Sequence, residues 1–315
     1  MADHDTRRTW PELPYGEWRD TCRTLHLWTQ IVGKVRVATT PWLNHSWQSP
    51  LYVTARGLAT GPIDGGARTL DMEFDFTDQA LVLRTDEEVS RVPLQAMSVA
   101  DFYHAVMDAL ARLGTPVAIH KAPNELPEAI PFPEDRAQRV YDAAAARRFF
   151  GVLLQADRVL KTFRTAFLGK ASPVHFFWGS FDLAATRFSG RRAPPHPGGV
   201  PHLPDAVARE AYSHEVSSAG FWPGGPGAEE AVFYSYAYPE PPGFRTAPAG
   251  PPQARYDAGL GEFLLPYDAV RTAADPDAVL LEFLNATYAA AADAAGWDRA
   301  ALECAPGRPG KPRPV

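Results

Sequence analysis

Residues able to do chemistry gather in three short blocks of the second half: His175 to Asp182, Tyr212 to Glu215, and Tyr234 to Tyr238. Histidine beside carboxylate supplies general acid–base capacity, and a nearby guanidinium can hold developing charge. The candidate catalytic residues are therefore His175, Asp182, Arg187, His214 and Glu215. If His175 to Phe188 is one strand, alternation puts Phe176, Trp178, Ser180 and Asp182 on one face. His175, Phe177, Phe181 and Arg187 then share the other. Tyr234, Tyr236 and Tyr238 line one face of a second strand. Flat rings with hydroxyl tips suit a small ligand with apolar and polar parts, so Arg56, Trp178, Ser180, Trp222, Tyr234 and Tyr236 are the candidate ligand contacts.

A plainer reading stands beside each of these. Trp178 and the tyrosine row fit a core whose polar tips are satisfied, and Arg56 and Arg187 fit ion pairs across the halves. His214 and Glu215 are strand neighbours, so they point to opposite faces and do not act on one atom. A metal would need ligands converging from His175, Asp182 or His45, for which no spacing rule exists, so metal and cofactor stay unassigned. No G-x-S-x-G elbow, H-E-x-x-H pair, Walker lysine loop or helix-opening G-x-G-x-x-G occurs. Gly224-Gly225-Pro226-Gly227 reads as a turn. The loop from Ser189 to Pro204, with Arg191, Arg192, His196 and His202, has the length and stiffness of a site wall or lid.

These blocks need elements to hold them. Apolar spacing predicts a helix from Glu17 to Val32 with Gly33 as its stop. Strands follow at Ser49 to Ala59 and Leu70 to Phe76, the latter turning into Leu81 to Leu83, with a short strand at Val89 to Leu94. A helix capped by Ser98 ends at Gly114. The stretch 115–141, with five prolines, reads as a linker. A long helix then spans Asp142 to Leu168. Strands are expected at His175 to Phe188, Ala211 to Phe221, Ala231 to Tyr238 and Glu262 to Leu265, and a last helix from Asp275 to Gly296.

Both halves thus read helix, strands, helix. Gly33-Lys34 matches Gly169-Lys170, Pro41 matches Pro173, and Trp47, Ser49 and Arg56 match Trp178, Ser180 and Arg187 without a gap. The expected fold is α+β: two related halves from an internal duplication, each a mainly antiparallel sheet flanked by helices. The domains expected are 1–114 and 142–304, with a disordered tail at 305–315.

Composition narrows the classes. At 315 residues, 45% hydrophobic and 22% charged, the chain has ample material for a core. A net charge of −6 gives no overall attraction to nucleic acid or to an anionic membrane. Two cysteines far apart fit neither a metal cluster nor a disulfide framework. The charged N-terminus, Met1 to Asp5, precedes no apolar signal region, and no stretch is long enough to span a bilayer, so a cytoplasmic location is expected. Proline, at 31 residues, is the unusual component.

Four strings are specific as a set: Leu25 to Lys34 (LHLWTQIVGK), Leu51 to Leu58 (LYVTARGL), Pro173 to Ser180 (PVHFFWGS) and Tyr212 to Gly224 (YSHEVSSAGFWPG). Together they resemble a bacterial family of unknown function whose members are about this long. The resemblance implies no activity, cofactor or catalytic residue. The reading the residues support is a small-molecule enzyme of hydrolytic or acid–base type, its site in the second half or in the cleft between halves. The alternatives are a non-enzymatic ligand-binding protein and a protein–protein scaffold. A small molecule is the expected partner, and oligomeric state stays unassigned.

Overall fold

A computed structural model describes residues 9–225 and 228–313. The charged N-terminal residues, the second half of the Gly224–Gly227 turn and the last two residues lie outside them. The first helix, α1 (Tyr15–Thr39), buries Trp18, Cys22, Leu25, Trp28, Ile31 and Val35. It runs through Gly33 instead of stopping there. A Cβ at Gly33 would sit 2.1 Å from the Trp178 indole nitrogen, so this glycine serves a close approach, not a helix end.

The first sheet is an antiparallel meander of β1 (Tyr52–Val53), β2 (Gly57–Ala59), β3 (Ile63–Asp64), β4 (Thr69–Asp75), β5 (Ala80–Thr85) and β6 (Val89–Pro93). Its order is β1-β2-β4-β5-β6, with β3 also pairing β4. Helix α2 (Val99–Arg112) follows, its N-terminus capped where Ser98 Oγ accepts from the Asp101 N–H at 3.0 Å. The proline-rich stretch is packed, burying Ile119, Asn124, Phe132 and Asp135. Asn124 N donates to Gln30 Oε1 at 2.7 Å and Glu125 N to Pro201 O at 2.8 Å, tying the stretch to both halves.

Helix α3 (Ala143–Arg164) begins at Asp142, which caps Ala144 N at 2.7 Å. The run expected as one strand from His175 to Phe188 is a hairpin. It comprises β7 (His175–Phe177), a turn through Trp178 to Phe181, and β8 (Asp182–Arg192), with Phe181 at φ 60°. A short helix that the periodicity did not show, α4 (Asp205–Ala211), precedes β9 (His214–Trp222) and β10 (Val232–Tyr238). Then come β11 (Arg255–Asp257), β12 (Glu262–Pro266), α5 (Tyr267–Arg271) and α6 (Pro276–Ala294). The second sheet has the order β11-β12-β10-β9-β8-β7, antiparallel throughout.

The fold is α+β, with two antiparallel sheets flanked by helices. The sheets meet at one bridge: Leu51 N donates to Phe176 O at 2.8 Å, and Phe176 N to Leu51 O at 2.7 Å. One hydrophobic core draws on both halves, from Trp18 and Phe74 to Phe221 and Leu284. The gapless spacing between the halves does not put its residues in equivalent places. Trp47 follows a 3₁₀ turn ahead of β1, whereas Trp178 lies in the turn after β7. Arg56 lies in the turn before β2, whereas Arg187 is inside β8. Gly307 N donates to Thr165 Oγ1 at 3.0 Å, so the described part of the C-terminal tail has a contact with the end of α3. Among the described residues no helix is long and apolar enough to cross a membrane.

Candidate functional site

Side-chain alternation gives the second sheet two different faces. Leu183, Ala185, Ala219, Phe221 and Phe233 are buried in the main core, on the side where α3 and α6 pack. The opposite parity, Asp182, Ala184, Thr186 and Phe188 on β8, Val216 and Ser218 on β9, and Tyr234 and Tyr236 on β10, lines a cavity of about 550 Å³. Its other walls come from elsewhere in the chain. The end of α1 gives Lys34 and Val37, and the turn before β1 gives Trp42, His45 and Trp47. The proline-rich stretch gives Asn124 and Glu125; the loop into α4 gives His202 and Leu203, and α4 itself gives Val207. That size holds a small organic molecule, and most of the lining is apolar or aromatic.

Polar groups converge at one end. Tyr234 donates to Asp182 Oδ2, and Asp182 Oδ1 is buried without a hydrogen bond of normal geometry. Tyr234 reaches across Gly220, where a Cβ would lie 2.5 Å from the tyrosine hydroxyl. Only glycine at that register leaves room for the bond. Tyr236 and Tyr212 share a hydroxyl–hydroxyl bond of 2.8 Å. Glu125, held in the left-handed region at φ 62°, lays its carboxylate against Gly179, whose added Cβ would be 2.0 Å from Oε1. A non-glycine residue in that region is unfavourable and tends to mark a site the surrounding fold over-determines.

Lys34 completes the cluster through a stripe on α1. His26, Gln30 and Lys34 follow one another at intervals of one helical turn. His26 Nε2 bonds Gly179 O at 2.7 Å, Gln30 Nε2 donates to Asn124 O at 2.9 Å, and Lys34 Nζ donates to Asn124 Oδ1. The stripe therefore fixes both the β7–β8 turn and the loop carrying Glu125. Lys34 Nζ also lies 5.6 Å from the centre of the Trp178 ring, whose N–H donates to Ser49 O at 2.9 Å.

Burial dominates the electrostatics. It pushes the Asp182 carboxyl up to about 6, with the Tyr234 and Ser180 hydroxyls pulling it back. It pushes Glu125 up to about 7, reinforced by the Asp182 charge and opposed by Ser180 and Lys34. Glu262 on β12 is raised to about 7 by burial and by Asp182. Burial lowers the Lys34 amine to about 8, and Glu125 partly restores it. Three carboxyls, two of which line the cavity, and one amine are thus shifted toward neutral pH, which is what proton transfer at that pH requires.

Of the residues singled out from the sequence, Asp182, Trp178, Ser180, Tyr234 and Tyr236 line this cavity. The others do not. His175 is fully buried beside Tyr52 and Phe177, neither ring nitrogen has a hydrogen-bond partner among the described residues, and burial lowers it to about 3. Arg187 faces the helices, its guanidinium 3.6 Å from the Phe163 ring centre and 4.3 Å from that of Tyr288. His214 pairs across β8 with Arg192 while His175 pairs with Ala184, so the two histidines are far apart along the sheet. Glu215 bonds Arg191 at 2.7 Å. Arg56 pairs with Asp75 and Asp78 in its own half, at 2.5 and 2.7 Å. Trp222 packs with Val232, Tyr234 and Leu264 beyond the cavity. Lys34 and Glu125 were missed; the polar stripe at four-residue spacing in an apolar helix was the available signal for Lys34. Among the described residues no group of three or more His, Cys, Asp or Glu is placed to hold a metal ion.

Fold and site together define an α+β protein with an amphipathic cavity walled by both halves. The chain belongs to a family of unknown function, DUF5996, whose model matches residues 10–304. No curated protein and no solved structure matches it.

Proposed function

We propose that this protein binds a small molecule with an apolar body in the cavity and carries out acid–base chemistry on its polar end. The observation that carries the reading is the convergence of Asp182, Tyr234, Glu125 and Lys34 in a cavity whose lining is mostly apolar and aromatic. Buried carboxyls beside a tyrosine hydroxyl and an amine can hold and pass protons, while Trp47, Trp178 and Phe188 offer surface to a hydrophobic body. The unpaired thiols of Cys22 and Cys304 fit a reducing compartment, and the cytosol is our reading of its location.

A screen of amphipathic fragments by thermal denaturation tests the proposal. Ligands should raise the melting temperature of the wild type and lose that effect in Val207→Trp, which fills the cavity from α4. Fragments that stabilise this variant equally would sink it. Products sought by mass spectrometry should fall by about 10²-fold or more in Asp182→Asn, the usual scale for losing a general acid or base. The second reading, a binding protein without turnover, is favoured by the apolar lining. It would be supported if ligands bind the wild type and no product forms.

A further inference from the structure

We propose that Lys34 is a covalent nucleophile whose ε-amino group condenses with the carbonyl carbon of an aldehyde or ketone held in the cavity. The inference rests on the reading of the cavity as a small-molecule site, and it names the substrate class: a carbonyl compound with an apolar body.

The placement of this amine sets it apart from the other lysines. The chain has five, and Lys121, Lys161, Lys170 and Lys311 are exposed, whereas Lys34 is 6% exposed and lines the cavity. A buried lysine kept for structure is ordinarily paired with a carboxylate, since an isolated buried ammonium is costly. Lys34 donates instead to the amide oxygen of Asn124 and lies beside the Trp178 ring. The neighbouring acid, Glu125, is itself held toward its neutral form. Such surroundings favour the free amine, the form that attacks carbonyls.

The rest of the cluster matches what the reaction needs. The nitrogen lone pair adds to the carbonyl carbon while the C=O π pair moves onto oxygen. That oxygen takes a proton from a neighbouring carboxylic acid and the nitrogen gives one up, leaving a neutral carbinolamine. A second protonation of the oxygen lets the C–O bond break, releasing water as the C=N bond forms, and the resulting protonated imine returns that proton to the carboxylate. Carbonyl and amine become imine and water, with no change of oxidation state and no further reactant. Glu125 and Asp182, as carboxylic acid or carboxylate, can donate and accept these protons, and in ionised form they stabilise the cationic protonated imine. Trp47, Phe188 and Val207 would hold the apolar remainder.

Reductive trapping tests this on the full chain. The protein is incubated at pH 7 with 3-phenylpropanal and sodium cyanoborohydride, digested, and its lysine adducts are mapped by mass spectrometry. 3-Phenylpropanol, which has the same body and cannot condense, is the competitor and the thermal-shift probe. Lys34 should be labelled at least tenfold faster than any exposed lysine, saturably, and more slowly with excess alcohol present. Labelling no faster than at the exposed lysines would overturn the proposal. If the alcohol raises the melting temperature while Lys34 stays unlabelled, covalent chemistry is excluded and the small-molecule reading stands. If neither occurs, both fall.

Discussion

Gly33 and Gly220 show how single residues admit the site. Each lacks the Cβ that would collide with an aromatic side chain, Trp178 in one case and Tyr234 in the other. Replacing a glycine inside a helix by alanine ordinarily stabilises by about 1 kcal/mol. At Gly33 the new methyl group would meet an indole anchored to Ser49, so overpacking of roughly 1–3 kcal/mol should win. Urea unfolding of Gly33→Ala should show a net loss of up to about 2 kcal/mol; a gain would mean that Trp178 is free to move. The sequence suggested a helix stop here because glycine signals both an end and a close approach, and only tertiary contact separates the two. The same limit applied to histidine. His175 looked reactive by type, yet it lies fully buried with no hydrogen-bond partner among the described residues, whereas Glu125, which meets the cavity, stood in an unremarkable proline-rich stretch.

At the level of elements, β4, β5, β10 and β12 fall close to where the sequence pattern put them, whereas the single strand expected from Ser49 to Ala59 is β1 and β2 with a turn between them. Helices with side-chain caps were legible, as at Ser98, Asp142 and Asp275. The hairpin at Trp178 to Phe181 was not, because its turn pair, Gly179-Ser180, is embedded in an aromatic run that reads as one strand. Its turn depends on Phe181 adopting a left-handed conformation and on His26 holding Gly179 O. Helix α4 was also hidden, being too short for periodicity and embedded among prolines. It forms part of the cavity wall and is held by Glu210, which accepts from His45 N at 3.0 Å and lies 3.4 Å from Trp42 Nε1. Glu210→Ala should loosen this wall. Hydrogen exchange should accelerate in α4 and around residues 42–48 while β9 and β10 stay protected. Unchanged exchange in α4 would show that the wall is fixed by packing alone.

For the whole molecule, the cavity exists only because distant segments meet. The end of α1, the turn before β1, the proline-rich stretch and the loop into α4 all close over one face of the second sheet. Sequence reasoning located that face through its tyrosines and Asp182. It could not supply the walls, since nothing in the local pattern says that residue 34 meets residue 124. This assembly is also what desolvates the carboxyls, so their titration reports directly on the site. A raised carboxyl pKa means that the folded state holds its proton more tightly than the unfolded chain, so Asp182 and Glu125 stay partly protonated above the usual carboxylate range. ¹³C NMR of protein labelled at Asp and Glu carboxyl carbons, compared with Asp182→Asn and Glu125→Gln, measures this. The signal lost in the first variant should titrate near pH 6 and that lost in the second near pH 7, both moving toward ordinary values in urea. If both titrate with the bulk carboxyls near pH 4, the cavity has no acid–base capacity at neutral pH and the account fails.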